Sequence, residues 1–265
     1  MGLLLQPRFF REISMIIFFS DLDNTMIFSY RHEIGKDKRC VEIYQGREIS
    51  FVTEKTYGLL KKLKEKALFV PVTTRTVEQY RRIDLGVGTL PYALVCNGGV
   101  LLANGQEDES WYLESRRMVE DCQDELRTAA RILEEDENRS LEVRDIRGLF
   151  LFTKSKCPEE SAQRLKKRLD MSRMEVFCNG VKVYALPKKL NKGMAIKRLA
   201  GRAGAGKIIA AGDSAFDLPM LAAADIGIAP GELAKAYRLK DHVVRINPAA
   251  VFSDEILEFL MGVTG

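Results

Sequence analysis

Four places in the sequence combine acidic, hydroxyl and cationic residues in a way that can hold and cleave a charged group. They are Asp21-Leu22-Asp23-Asn24-Thr25, Thr73-Thr74-Arg75, Asn191-Lys192-Gly193 and Gly212-Asp213-Ser214-Ala215-Phe216-Asp217. Carboxylates packed into one crevice repel, and each resists ionisation unless a cation neutralises them. Only two histidines are available, His32 and His242, and the five cysteines are scattered with no CxxC pair. Any metal must then be held mainly by carboxylates, which favours a hard ion such as Mg²⁺ with positions left for water and a substrate phosphate. Two nearby carboxylates kept in different protonation states divide the work of nucleophile and acid. A pair of hydroxyls with a lysine suits a phosphoryl group, whose oxygens accept hydrogen bonds and carry charge.

These residues need elements that bring them together. Ile16-Ile17-Phe18-Phe19, Leu68-Phe69-Val70-Pro71-Val72 and Lys207–Ala211 are short apolar runs that stop at Asp21, Thr73 and Asp213. Runs of this kind read as strands buried on both faces of a parallel sheet, and ligands of such sheets bind outside the carboxyl ends of the strands. Helices are predicted from the Thr53 cap to Glu65, over Thr76–Ile83, Asn191–Gly201, Leu218–Ala223, Leu233–Leu239 and Val251–Met261. Further strands are predicted at Ala93–Cys96, Ile226–Ala229 and His242–Ile246, with a β-hairpin over Val41–Phe51 around Gln45-Gly46. The middle of the chain differs. One long charged helix over Glu114–Glu135, hairpins around Arg147-Gly148 and Asn179-Gly180, and a helix over Pro158–Leu169 give an α+β layout. The expected fold is α/β: a Rossmann-like, mostly parallel sheet core (residues 1–104 and 187–265, with 1–14 an N-terminal extension) and an inserted smaller α+β cap domain (105–186).

Composition narrows the partners. Lys+Arg 41 against Asp+Glu 37 leaves +4, too mild for the concentrated basic face of a nucleic-acid binder. No stretch approaches the ~18 apolar residues of a membrane helix. The odd, scattered cysteines and an N-terminus without a secretory pattern read as a cytoplasmic chain. Met1-Gly2 does not signal myristoylation, because Gln6 stands where Ser or Thr is required.

The four motifs, in this order and each at a strand end or helix start, resemble those of the haloacid dehalogenase superfamily of phosphohydrolases. The Asn97-Gly98-Gly99 turn and Leu186-Pro187 ahead of Lys192 are similar to the branch with its cap between the second and third motifs. That branch includes Cof-type sugar phosphatases, sucrose-phosphate and mannosyl-3-phosphoglycerate phosphatases, and phosphomannomutases. The resemblance implies a Mg²⁺-dependent phosphatase of a small phosphorylated metabolite, a sugar phosphate for preference, working through an aspartyl-phosphate. By resemblance Asp21 is the nucleophile and Asp23 the acid and base. Thr73 and Lys192 then hold the phosphoryl group, and Asp21, the Asp23 carbonyl, Asp213 and Asp217 hold the metal. Thr74, Arg75, Asn97 and Lys182 are the candidate substrate contacts, with Arg75 reading equally as a surface residue and Asn97 equally as a turn former. Lys182 shares its place near the hairpin turns with Arg144, Arg147 and Asn179; these four could face the crevice, and the solvated surface is the simpler expectation for them.

Two positions depart from the family. Asn24 replaces a customary Gly and tolerates the left-handed backbone the turn needs; Thr74 replaces another and crowds the phosphate pocket. Residues 28–52 form a longer segment after the first motif than the branch leads one to expect. A phosphosugar mutase on the same scaffold and a non-catalytic metabolite-binding protein are the alternatives. A dehalogenase is disfavoured, because it needs neither Asp23 nor the metal.

Overall fold

The computed structural model describes residues 15–246 and 251–264; the expected extension at 1–14 lies outside them. The strand Ile16–Ser20 lies between Lys207–Ala211 and Leu68–Pro71, and the sheet continues beyond Lys207–Ala211 through Ile226–Pro230 and Val243–Ile246. All four pairings are parallel. Both faces are covered, which is why the central runs are apolar throughout rather than alternating. Phe18, Phe69 and Ile209 face helices Glu54–Leu63 and Phe252–Val263. Ile17, Phe19, Val70 and Ala210 face helices Lys192–Ala203 and Leu218–Ala223.

Register positions the chemistry. Ser20 pairs with Ala211 on one side and with Pro71 on the other, so three chains leave the sheet at one level. The next residues are tied down at that rim: the Asp21 amide donates to the Ala211 carbonyl (2.9 Å) and the Val72 amide to the Ser20 carbonyl (2.7 Å).

A second sheet is antiparallel, in the order Met174–Asn179, Lys182–Pro187, Phe150–Lys154, Arg144–Ile146. Its strands alternate, as a sheet with two different environments must. Leu151, Val183 and Ala185 pack under helices Gln123–Glu134 and Pro158–Lys166, while Phe152 and Tyr184 belong to another cluster together with Phe216. A third sheet, Phe28–Ser29, Arg47–Thr53 and Lys38–Tyr44, contains the expected hairpin, with Gln45 and Gly46 both at positive φ.

Three expected elements are reshaped. The strand Tyr92–Val95 pairs antiparallel with Val100–Ala103 and meets the parallel sheet through a single bridge, Val72 to Leu94. The left-handed backbone at Cys96, Asn97 and Gly98 folds the chain straight back. The helix expected over Thr76–Ile83 is one turn, Val77–Tyr80, because Ile83 leaves it to bridge Glu42 and the Asp84 amide donates to the Val41 carbonyl. The long helix expected over Glu114–Glu135 is two, Glu109–Met118 and Gln123–Glu134. The break lets Val119 enter the cluster of Phe152 and Tyr184 while Cys122 enters the cluster under the helices.

Candidate active site

Asp21, Asp213 and Asp217 come together at the aligned strand ends, with one carboxylate oxygen from each lying within 4.8 Å of the others. Lys192, 1% exposed, is the cation among them: its Nζ donates to Asp21 Oδ1 and to Asp217 Oδ1, both at 2.5 Å. Asn191 caps the helix that carries Lys192. Gly193 lets that helix approach closely, since a Cβ there would stand 2.2 Å from the Pro219 carbonyl oxygen. Gly212 does the same for the acidic loop, where a Cβ would meet Asp217 Cβ at 2.3 Å. Asp217 is fully engaged, because its Oδ2 accepts from the Ser214 amide (3.0 Å) and hydroxyl (2.8 Å). Thr25, the last residue of the first motif, donates to Asp213 Oδ1 at 2.9 Å. Asn24 adopts φ 62°, the left-handed turn foreseen for it.

Burial raises the Asp21 carboxyl well above the usual carboxylate range; Lys192 opposes this, while Asp217, Asp213 and Asp23 add to it. Burial, then Asp217, pushes Asp213 up to about 6. Lys192 is held well above the ordinary lysine value, because its two carboxylates outweigh the cost of burial. The cluster thus holds three acids against one ammonium, in the state a hard divalent cation relieves. The donor set is all oxygen, and it fits Mg²⁺.

Asp23 is separate from this group. Its side chain is 48% exposed and is gripped by Arg75, which donates from Nε (2.8 Å) and Nη2 (2.7 Å). Burial acts to raise its carboxyl, but the Arg75 hydrogen bonds and charge prevail and hold it below the ordinary value. Arg75 in turn pairs with Glu42 (2.8 Å), as does Arg82 (3.0 Å), and Ser50 donates to Glu42 at 2.6 Å. The Glu42 side chain is wholly buried. A bulge in Lys38–Tyr44 turns it inward: register shifts flank Glu42, so Val41 and Glu42 are both buried although they are neighbours. Glu42→Gln leaves two guanidinium groups without their shared acid and is expected to cost about 3 kcal/mol, read by urea denaturation; an unchanged midpoint would show that the arginines find solvent instead.

Above these groups lies a crevice of about 500 Å³. Of the sequence candidates, Asp21, Asp23, Thr74, Arg75, Lys182, Lys192 and Asp213 line it. Thr73 is 1% exposed, and its hydroxyl accepts from the Arg75 amide at 3.1 Å. Asn97 does not line the crevice: it is buried beside Thr73 in the left-handed turn at φ 57°, its Nδ2 donates to the Leu190 carbonyl at 2.9 Å, and its Oδ1 has no partner among the described residues. Asn179, expected at the surface, lines the crevice, as do Lys154, Phe152, Tyr184 and Phe216. Phe216 sits on the acidic loop and packs against Phe177 and Tyr184 of the antiparallel sheet, at 4.4 and 5.1 Å between ring centroids. That sheet therefore forms the roof of the crevice.

A family model of haloacid dehalogenase-like hydrolases matches residues 100–242, more than half of the chain. The match includes Lys192, Asp213 and Asp217 and leaves Asp21, Asp23 and Thr73 to the geometry. No curated protein sequence matches. Solved structures similar to this chain include the sucrose-phosphatase of Synechocystis sp. PCC6803 with sucrose and phosphate (18% identity, TM-score 0.65, covering 94% of this chain and 97% of that one). Others are a phosphatase of the haloalkanoate enzyme superfamily from Bacteroides thetaiotaomicron (18%, 0.57, 97% and 97%) and the Aspergillus fumigatus trehalose-6-phosphate phosphatase (13%, 0.53, 95% and 93%). At these identities the likeness shows a shared fold, over nearly the whole length of each chain.

Proposed function

The chain belongs to the haloacid dehalogenase-like hydrolase family, and from that premise we propose that it is a Mg²⁺-dependent phosphatase of a small phosphorylated metabolite. The observation that carries this reading is the level exit of three parallel strands, which sets Asp21 beside Asp213, Asp217 and Lys192. The sugar-phosphate phosphatases among the structural relatives support a phosphosugar as the substrate class.

In this reading an Asp21 oxygen attacks phosphorus, the bond to the leaving alcohol breaks, and Asp23 gives that alcohol its proton. Water then attacks phosphorus as Asp23 takes one of the water's protons; the bond from phosphorus to the Asp21 oxygen breaks, which frees inorganic phosphate and restores the Asp21 carboxylate. Arg75 holds Asp23 ionised in the free protein, the form the second step requires. A substrate oxyanion competing for Arg75 raises the Asp23 carboxyl and prepares it for the first step. Lys192 neutralises Asp21 as charge moves onto the phosphoryl group, and the Thr73–Arg75 segment supplies donors to its oxygens. Asp21, Asp213 and the Asp23 backbone carbonyl would hold Mg²⁺, with Asp217 fixing Lys192 and the loop. The bound ion would offset negative charge on the phosphoryl oxygens. Residues 105–186 serve as the cap and the remaining described residues as the core. The cap excludes bulk water and selects the leaving group.

Purified protein is expected to release inorganic phosphate from p-nitrophenyl phosphate with Mg²⁺, to lose this activity in chelator, and to regain it with Mg²⁺ but not with Ca²⁺, whose looser coordination suits the transfer poorly. Full activity in chelator would remove the metal from the mechanism. On a hexose phosphate, whose other hydroxyls can accept the phosphoryl group, isomer formation without phosphate release would mark the protein as a mutase.

A further inference from the structure

Five cationic side chains line the crevice: Arg75, Arg82, Lys154, Lys182 and Lys192. Three are matched by acids, Arg75 by Asp23 and Glu42, Arg82 by Glu42, and Lys192 by Asp21 and the buried Asp217. Lys154 and Lys182 have no ion-pair partner among the described residues. They also stand directly opposite one another, the Lys154↔Lys182 pair closing the antiparallel ladder of Phe150–Lys154 and Lys182–Pro187. Like charges at directly opposed positions disfavour a sheet; Lys154 is exposed and Lys182 half-buried, so water screens part of the repulsion and an anion between them would remove the rest. The pair shares the face of Phe152 and Tyr184, opposite in the crevice to the acidic rim.

We propose that Lys154 and Lys182 receive a second anionic group of the substrate, a carboxylate or phosphate carried by the leaving group away from the reacting phosphoryl. This rests on the phosphatase reading and narrows it, because a neutral sugar would offer no counter-charge to the half-buried Lys182 or to Lys154 at the crevice mouth. Burial depresses the Lys182 ammonium and Asp23 opposes this, with Lys154, Arg75 and Arg144 depressing it further, as in a site that lacks its counter-ion. The roof therefore reads the end of the substrate that the acidic rim does not touch.

Matched phosphoesters test this. On the wild-type protein with Mg²⁺, 6-phosphogluconate and fructose 1,6-bisphosphate are expected to exceed sorbitol 6-phosphate and fructose 6-phosphate, respectively, in kcat/KM by on the order of tenfold, the scale of one charge-assisted contact. The first pair isolates a carboxylate and the second a phosphate. In a Lys154→Gln/Lys182→Gln variant the preference is expected to fall to about twofold or less, with the change carried by KM. A wild-type preference for the neutral esters, or a preference that survives the double substitution, would overturn the proposal. If the wild-type protein releases phosphate from none of these esters nor from p-nitrophenyl phosphate, the phosphatase reading fails instead. Dissociation constants of the same esters on Asp21→Asn protein then decide the subsite alone, and equal values for charged and neutral esters would refute it. Lys154→Gln by itself is expected to raise the melting temperature of the ligand-free protein, because it removes a like-charge pair; a lowered one would mark the lysine as a structural residue and count against the proposal.

Discussion

Asp21→Asn is expected to lower phosphate release from p-nitrophenyl phosphate by at least about 10⁴-fold, the scale seen when a covalent nucleophile is removed, and to leave a folded protein. The amide keeps the shape of the carboxylate and can still meet Lys192, but it cannot form an acyl-phosphate. Asp23→Asn separates the two roles. With a leaving group that needs no proton, its first step survives while water attack on the intermediate is slowed, so phosphorylated protein should accumulate and be visible by mass. Folding has its own signature. Asp21 and Asp213 carry folded-state pKa values above 3.8, Asp213 at about 6. The folded protein therefore holds protons that the unfolded chain has lost, and metal-free stability must fall as pH rises from about 4 through about 6. For Asp213 the fall is on the order of 3 kcal/mol. The total fall should be smaller in Asp21→Asn, which removes one of the two raised carboxyls, and Mg²⁺ should abolish it. Turnover retained by Asp21→Asn would end the nucleophile assignment, and a flat pH profile of metal-free stability would end the claim of crowded carboxylates.

Much of this site could be read from residue order, and the reason is specific. Short buried strands announce themselves by continuous apolar runs, and the residue that ends such a run must lie at the sheet's rim. Asp21, Thr73 and Asp213 followed from that alone, while Lys192 and the metal roles came with the family resemblance. Neighbourhood was the missing step, supplied by the pairing of Ser20 with both Ala211 and Pro71. Glu42 was illegible for a different reason. A bulge breaks the two-residue alternation that tells inward from outward positions, so a wholly buried acid reads as one polar residue of a hairpin. Without Glu42, Arg75 looks equally like a surface charge and a substrate contact, and its grip on Asp23 is invisible. Asn97 was legible in one of its two readings: a left-handed turn followed by an antiparallel return is what a turn former provides, and the residue sequence could not choose between that and a ligand contact. The broken helix after Met118 shows the same limit, because charge and helical spacing continue across Val119–Cys122 while the two clusters that claim those residues are built on alternate residues of strands later in the chain.

Lys192→Met is expected to be the most damaging single change to stability. The methionine fills most of the lysine's volume, yet it leaves Asp21 and Asp217 facing each other without a cation in a site where Lys192 is 1% exposed. Removing one member of a buried charged group costs about 3–5 kcal/mol, and the sign with pH is fixed. Lys192 has a folded pKa above its ordinary value of 10.5, so its contribution is fully present below that value and constant across the neutral range. The pH dependence of the variant therefore comes from the stranded acids. At pH 5 Asp21, whose carboxyl burial already raises, takes a proton and the repulsion is relieved; at pH 8 it must ionise beside Asp217 or hold a costly proton. The stability gap between wild type and Lys192→Met should thus widen from pH 5 to pH 8 in urea denaturation, and a gap independent of pH would mean that packing, not charge, explains the loss. Lys192→Met/Asp217→Asn discriminates further. Removing a second member of the group restores balance, so the double variant is expected to be more stable than Lys192→Met at pH 8, although Ser214 keeps only a weaker acceptor. If the two losses simply add, the lysine and the aspartate do not act as a unit, and Asp217 is not what holds Lys192 against Asp21.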